Sequence, residues 1–103
     1  MKLHSQMFWS ETTENHPFEY SWKLKHGKLS NDFYVVVLPA QGSSNLLELL
    51  QVKEAMKAEK RGEELVVVGI AAGKEEAMEI AGRIVDTVYQ QTGDLKVKDY
   101  FDR

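Results

Sequence analysis

Two short runs of this chain have no polar side. Phe33-Tyr34-Val35-Val36-Val37-Leu38 and Leu65-Val66-Val67-Val68-Gly69-Ile70 carry apolar residues or glycine at successive positions, whereas a strand with one face in water alternates with a period of two. Both runs therefore read as interior strands that need a cover above and below. With 103 residues the chain can close one core and has no room for a second, so residues 1–103 read as a single domain built round these two strands.

The other elements follow from spacing. Residues 18 to 25, Phe-Glu-Tyr-Ser-Trp-Lys-Leu-Lys, alternate strictly, which puts Phe18, Tyr20, Trp22 and Leu24 on one side and predicts a half-buried strand. Seven of the ten aromatics lie in the first 34 residues, which also favours strands. The glycine-containing turn from His26 to Asp32 predicts a hairpin joining this strand to Phe33–Leu38. A weaker alternation from Leu3 to Trp9 adds a first strand, with Glu11 to Pro17 as its connection.

From Asn45 the period becomes helical. Asn45 and Glu48 have capping-box spacing, Leu46, Leu49, Leu50, Lys53 and Met56 follow at helical intervals, and Gly62 suits a left-handed C-terminal cap, which predicts a helix over 45–60. After Gly73, the positions Ala77, Ile80, Ala81, Ile84, Val85 and Val88 form one apolar stripe opposed by Glu75, Glu79, Arg83 and Asp86, a second amphipathic helix closed by Gly93. The tail Asp94 to Arg103 carries Leu95, Val97, Tyr100 and Phe101, enough apolar surface to dock in a conformation the spacing leaves open.

The expected architecture is α+β in two layers: a mixed four-stranded sheet in the order β-β-β-α-β-α, with one right-handed parallel crossover from Phe33 to Ile70. Two helices on one face would leave the two apolar strands bare on the other. Either the helices divide between the faces, or the N-terminal segment folds over, or a second copy docks there. A homo-oligomer or a protein partner is expected on this ground.

Composition removes several functional classes. The chain has no cysteine, so disulfides, thiolate metal sites and a cysteine nucleophile are absent, as suits a reducing compartment. A net charge of −3 argues against nucleic acid as a partner, because such affinity comes largely from neutralised phosphates. No stretch reaches the roughly 20 apolar residues of a membrane helix, which argues against a membrane partner. Met1-Lys2-Leu3-His4-Ser5-Gln6 is too polar for a signal peptide, so a cytoplasmic location is expected.

The most suggestive segment is Val68-Gly69-Ile70-Ala71-Ala72-Gly73-Lys74-Glu75, laid out as strand, glycine-bounded turn, lysine and helix. A phosphate loop has that layout, but here three residues separate the glycines where the motif has four, and Glu75 stands where a hydroxyl would hold magnesium. Glu75 and Glu76 also complement the helix dipole themselves and would repel an anion. In a parallel crossover both helices start at the carboxyl edge of the sheet, where open α/β sheets bind ligands. On that geometry Gln41, Ser43, Ser44, Asn45, Gly73 and Lys74 are the candidate residues for a small anionic ligand. Ser43, Ser44 and Asn45 are equally what an ordinary helix start requires.

His4, His16 and His26 lie far apart with no carboxylate at ligand spacing, so no metal site and no cofactor are expected. Ser43 and Ser44 have no evident base and no nucleophile elbow, and no catalytic residue is designated. Lys53, Lys57, Lys60 and Arg61 share one side of the first helix and read as a solvated face that also favours the helix dipole. The row Phe18, Tyr20 and Trp22 could stack on RNA bases, although its acidic setting makes a core face the better reading. Residues 63–103 carry nine acidic and five basic side chains, so an electrostatic partner of that half would be cationic.

The stretch from Leu65 through Gly73-Lys74-Glu75-Glu76-Ala77-Met78-Glu79 to Val88-Tyr89-Gln90-Gln91-Thr92-Gly93-Asp94, with the closing Val97-Lys98-Asp99-Tyr100-Phe101, resembles small uncharacterised proteins of anaerobic Gram-positive bacteria. The likeness runs over residues 33 to 101. It implies a cytoplasmic bacterial protein and brings no activity and no catalytic residues. The expected function is a non-catalytic protein-interaction or self-associating module, the alternative being a binder of, or enzyme acting on, a small anionic ligand at the 41–45 and 69–74 loops.

Overall fold

The computed structural model describes residues 1–40 and 42–102. Both two-sided runs are strands of one sheet, β2 (Tyr34–Val37) and β4 (Val66–Ala71), and they lie side by side at its centre. The edges are β1 (Lys2–Trp9), parallel to β4, and β3 (Glu48–Gln51), antiparallel to β2, giving the order β1-β4-β2-β3. Helices α1 (Pro17–Lys25), α2 (Val52–Lys60), α3 (Lys74–Thr92) and α4 (Val97–Phe101) complete the chain. The α+β class and the mixed four-stranded sheet with one parallel pair agree with the sequence reading. No helix of the described residues is long and apolar enough to cross a membrane.

The order of elements differs, and each difference has a physical cause. Residues 18–25 form α1, not a strand, and the expected hairpin with Phe33–Leu38 does not exist. Alternation over four positions also contains an i, i+4 pair, and that pair, Tyr20 and Leu24, is what α1 turns inward; Phe18 is 83% and Trp22 46% exposed. Pro17 at the first helical position favours the helix start.

The helix expected over 45–60 is split. Residues 48–51 pair with β2 and only 52–60 are helical, because Leu47 and Leu49 join one core while Leu50 joins the other, as strand alternation requires. Asn45 and Glu48 form no capping box; a Glu48 carboxylate oxygen accepts from the Ala40 amide at 3.3 Å instead. Gly62 and Gly93 take positive φ at the ends of α2 and α3, as expected.

The Phe33-to-Ile70 crossover is not parallel. β3 intervenes as a hairpin partner, so β2 runs antiparallel to β4, and the parallel pair is β1 with β4. Three layers replace the expected two. Val35, Val37, Val67 and Ile70 pack with Leu24 of α1 and with Val52 and Ala55 of α2. Val36, Val68 and Ala71 pack with Ala77, Ile80, Ile84 and Val88 of α3 and with Val97, Tyr100 and Phe101 of α4. Division of the helices between the faces, one of the three expected solutions, therefore covers both sides of the central strands.

The C-terminal helix is tied down by a specific contact. The Gln6 amide donates to His4 Nδ1 at 2.9 Å, which leaves Nε2 to carry the proton and donate to the Phe101 carbonyl at 2.7 Å. Phe101 packs edge-on against His4 and Phe8.

Gly69 is a packing glycine. The register of β4 against both neighbours shifts beside it: residues 4–7 of β1 face only Val68, and the β2 ladder slips between Val36 and Val37. A methyl group on Gly69 would stand 3.0 Å from Ile80 Cγ2 and 3.2 Å from the Phe8 carbonyl oxygen, so this bulged position admits α3 only without a side chain. Gly69→Ala is expected to destabilise the fold by about 1–3 kcal/mol, the cost of overpacking a closed core. Urea unfolding followed by circular dichroism measures it, and an unchanged midpoint would refute the close-packing account.

Candidate functional site

The antiparallel β2 dismantles the expected ligand site. Residues 42–45 follow the carboxyl end of β2, which lies beside the amino end of β4, whereas Gly73 and Lys74 follow the carboxyl end of β4. The two loops border opposite edges of the sheet and cannot share a ligand. Gln41 lies outside the described residues. Ser43, Ser44 and Asn45 are exposed and precede a strand, so they cap no helix; Ser43 Oγ accepts the Asn45 amide at 3.1 Å in a local turn. What they do border is a shallow cleft of about 490 Å3 toward Lys96, Lys98 and Asp99 at the start of α4.

At the other edge Gly73 turns the chain with φ +109° and precedes α3, while Lys74 is exposed. The position an anion would take at this helix start is filled by the chain's own Glu76. Its carboxylate accepts from the Thr12 hydroxyl at 2.7 Å and from the Ala72 amide at 3.3 Å. Desolvation pushes the Glu76 pKa up, but hydrogen bonds from the Ser10 and Thr12 side chains and the Ala72 and Thr12 backbone outweigh it and hold the group below its ordinary value.

Spacing did not reveal the residues that complete this edge. Thr13 is fully buried, and its hydroxyl donates to the Ile70 carbonyl at 2.8 Å while accepting the Ser10 amide at 2.9 Å. Arg83 donates to the Trp9 carbonyl. The sequence signal that might have marked this turn is weak, since Ser10, Thr12 and Thr13 sit in an otherwise ordinary polar connection. Together these bonds fasten the β1–α1 turn to β4 and α3.

The remaining candidates also resolve. The described residues contain no group of His, Asp and Glu arranged to hold a metal ion. His26 stacks on Trp22 with centroids 4.2 Å apart. Lys53, Lys57 and Lys60 are exposed along α2, and Arg61 pairs with Glu63 at 2.8 Å. The aromatic row is broken, with Tyr20 packed on Phe33 at 5.4 Å and Phe18 and Trp22 turned outward.

Among the described residues two apolar surfaces stand out, one on each side of the sheet. The first lies on the α3 side. Strands spaced by about 4.8 Å make a four-stranded sheet about 19 Å wide, room for two helices about 10 Å across. α3 lies chiefly over β4 and β2, and α4 reaches β1 through Phe101, so the strip over β3 has no helix of its own. A groove of about 530 Å3 runs there, floored by Leu47 and Leu49 and walled by Ala81, Gly82 and Val85 of α3. Met78 and Tyr89, both more than half exposed, extend it along the same flank of α3. At 100° per residue Lys74 lies on the same flank as Met78, Ala81 and Val85, while Glu75, Glu79 and Asp86 come next round the helix, beyond Gly82, on its outer side. The second surface is the Phe18–Trp22 ridge on α1. Comparison with known protein families, with curated proteins and with solved structures returns no match.

Because Glu76 titrates below its unfolded value, its contribution to stability is complete above the ordinary glutamate range near 4.3 and is lost as pH falls through its folded value. Glu76→Gln should flatten the acid limb of the stability profile below about pH 4.5 and cost no more than about 1 kcal/mol at neutral pH, since solvent reaches the carboxylate. Chemical denaturation of both proteins from neutral to acid pH tests this; parallel acid limbs would show that Glu76 is not the titrating group.

Proposed function

We propose that this protein is a non-catalytic interaction module that works by self-association, with the flank formed by β3 and α3 as its contact surface. The observation that carries the reading is the groove over β3: an apolar floor and wall without a charge among Leu47, Leu49, Ala81, Gly82 and Val85, next to a sheet edge. Apolar surface of this kind, continued by the exposed Met78 and Tyr89, is the sort that a second protein surface can cover.

Three further points support it. β3 is four residues long and carries Glu48, features that keep an edge strand from pairing, so contact on this flank falls to the apolar face of the sheet and not to its edge. The Thr13 hydroxyl is engaged by the Ile70 carbonyl and the Ser10 amide, and the Ser10 and Thr13 hydroxyls bond each other, so both side chains support the fold. In the 42–45 loop Ser43 is engaged in a local turn and Ser44 stands exposed.

Light scattering on protein from low micromolar to millimolar concentration is expected to show a mass that rises above one chain. Val85→Glu buries an unpaired charge in such a contact and is expected to weaken association by about tenfold or more. A single-chain mass throughout would overturn the reading.

A further inference from the structure

Two apolar surfaces stand on opposite sides of the sheet, and the charges around them differ in sign on balance. The groove over β3 is shallow and apolar, with Lys74 at one end of its α3 wall and Glu75, Glu79 and Asp86 beyond Gly82 on the outer side of the helix. The outer side of α1 is convex and aromatic, with Phe18 83% and Trp22 46% exposed. Lys25 and Lys28 are exposed beside it, while Lys23 is paired with Glu19 at 3.4 Å. The segment 18–28 holds three lysines and one glutamate, and α3 holds four acidic side chains against two basic ones. We infer that the groove over β3 receives helix α1 of a second copy, Phe18 and Trp22 entering between Leu47, Leu49 and the Gly82 flank of α3, with the lysines of α1 toward the acidic outer side of α3. The inference rests on self-association and specifies its geometry.

Several features make α1 the fitting occupant. Phe18 and Trp22 stand four residues apart and form a single ridge on a helix, the form in which a helix enters a groove. Gly82 lies near the middle of α3, exposed and without a side chain to hold an approaching helix away. Trp22 is also stiffened by its stack on His26, whose Nδ1 bonds to the Trp22 carbonyl at 2.9 Å, so less side-chain entropy is lost on burial. Large aromatic anchors of this kind dominate contact energies.

The placement dictates the symmetry. α1 packs on one face of the sheet and the groove opens on the other. One neighbour therefore cannot fill a molecule's groove and accept its ridge at the same time. The contact is heterologous, and repetition gives a chain or a ring of copies, not a two-fold dimer.

Two variants of the whole chain test this. Phe18→Ala with Trp22→Ala removes the ridge and leaves the groove. Gly82→Arg fills the groove and leaves the ridge; a side chain at Gly82 meets nothing within 4 Å of its Cβ, so the fold is retained. Circular dichroism confirms folding of each, and sedimentation velocity reads the mass. The wild type is expected to grow with concentration beyond two chains, each variant alone to associate at least about tenfold more weakly, and an equimolar mixture to stop at two chains, because one intact ridge meets one intact groove. Association of the wild type with a mixture that stays monomeric, or of either variant as strongly as the wild type, would overturn the head-to-tail contact while leaving self-association standing. A wild type that remains a single chain would remove both.

Discussion

β4 can exist only if four separate things cover it. Val67, Val68, Ile70 and Ala71 are fully buried, so the strand needs a neighbour on each edge and helices on each face. β1 and β2 supply the edges, α1 and α2 one face, α3 and α4 the other. Full burial of a valine or isoleucine side chain stabilises by about 1.5–3 kcal/mol, and the strand has no solvent side on which any of this is forgone. The bulge at Gly69 belongs to the same constraint. Val68 and Gly69 both look toward α3, and without a side chain at Gly69 Ile80 reaches the strand, so the long helix seats directly over the sheet centre. Thr13 then closes the end of β4 by taking the Ile70 carbonyl.

How much of this was legible depends on whether local spacing or pairing decided the outcome. β2, β4 and α3 were readable within about a residue, since a two-sided apolar run and a helical stripe of Ala77, Ile80, Ile84 and Val88 have few alternative explanations. Glycines at 62, 73 and 93 marked helix boundaries for the conformational reason expected of them. Residues 18–25 and 45–51 failed for a common cause. Phe18-Tyr20-Trp22-Leu24 is compatible with both a period of two and an i, i+4 pair, and Leu46-Leu47-Leu49-Leu50 fits a helical stripe or a strand apolar on both sides. In both cases the vacant edge of β2, a long-range fact, settled the choice: β3 took it, and α1 was left to cover the second face. The pair Asn45 and Glu48 misled because a capping box needs a helix behind it, and the chain there is extended into β3.

The candidate site was the least legible part, because it depended on strand direction. Gly73-Lys74 reads as a helix start and is one, whereas Ser43, Ser44 and Asn45 read as a helix start and instead precede β3, and the meeting of the two loops requires β2 and β4 to run parallel. Exposure of Phe18 and Trp22 was likewise invisible while the segment was read as a strand, since alternation would have turned all four large residues to the same side. The acidic bias of residues 63–103, which favours a cationic partner, is present on the outer side of α3 as Glu75, Glu79 and Asp86.

The direction of β2 thus bears on where function can lie. In a sheet whose central strands are all parallel, the loops before successive helices converge on one edge and leave their helix N-termini open to a ligand. Here that edge is occupied from within. Glu76 takes the amide of Ala72 and the hydroxyl of Thr12, Thr13 takes the last carbonyl of β4, and Arg83 takes the carbonyl of Trp9. An anion arriving at α3 would have to displace a carboxylate that is already hydrogen-bonded and whose ionised form those bonds favour. The same reversal that closes the edge places β3, a short strand with no helix over its α3 side, at the margin of the sheet. With the α3 edge closed, the apolar strip over β3 lies on a flank of the sheet, and an apolar flank beside a helix is a form of surface that can receive another helix.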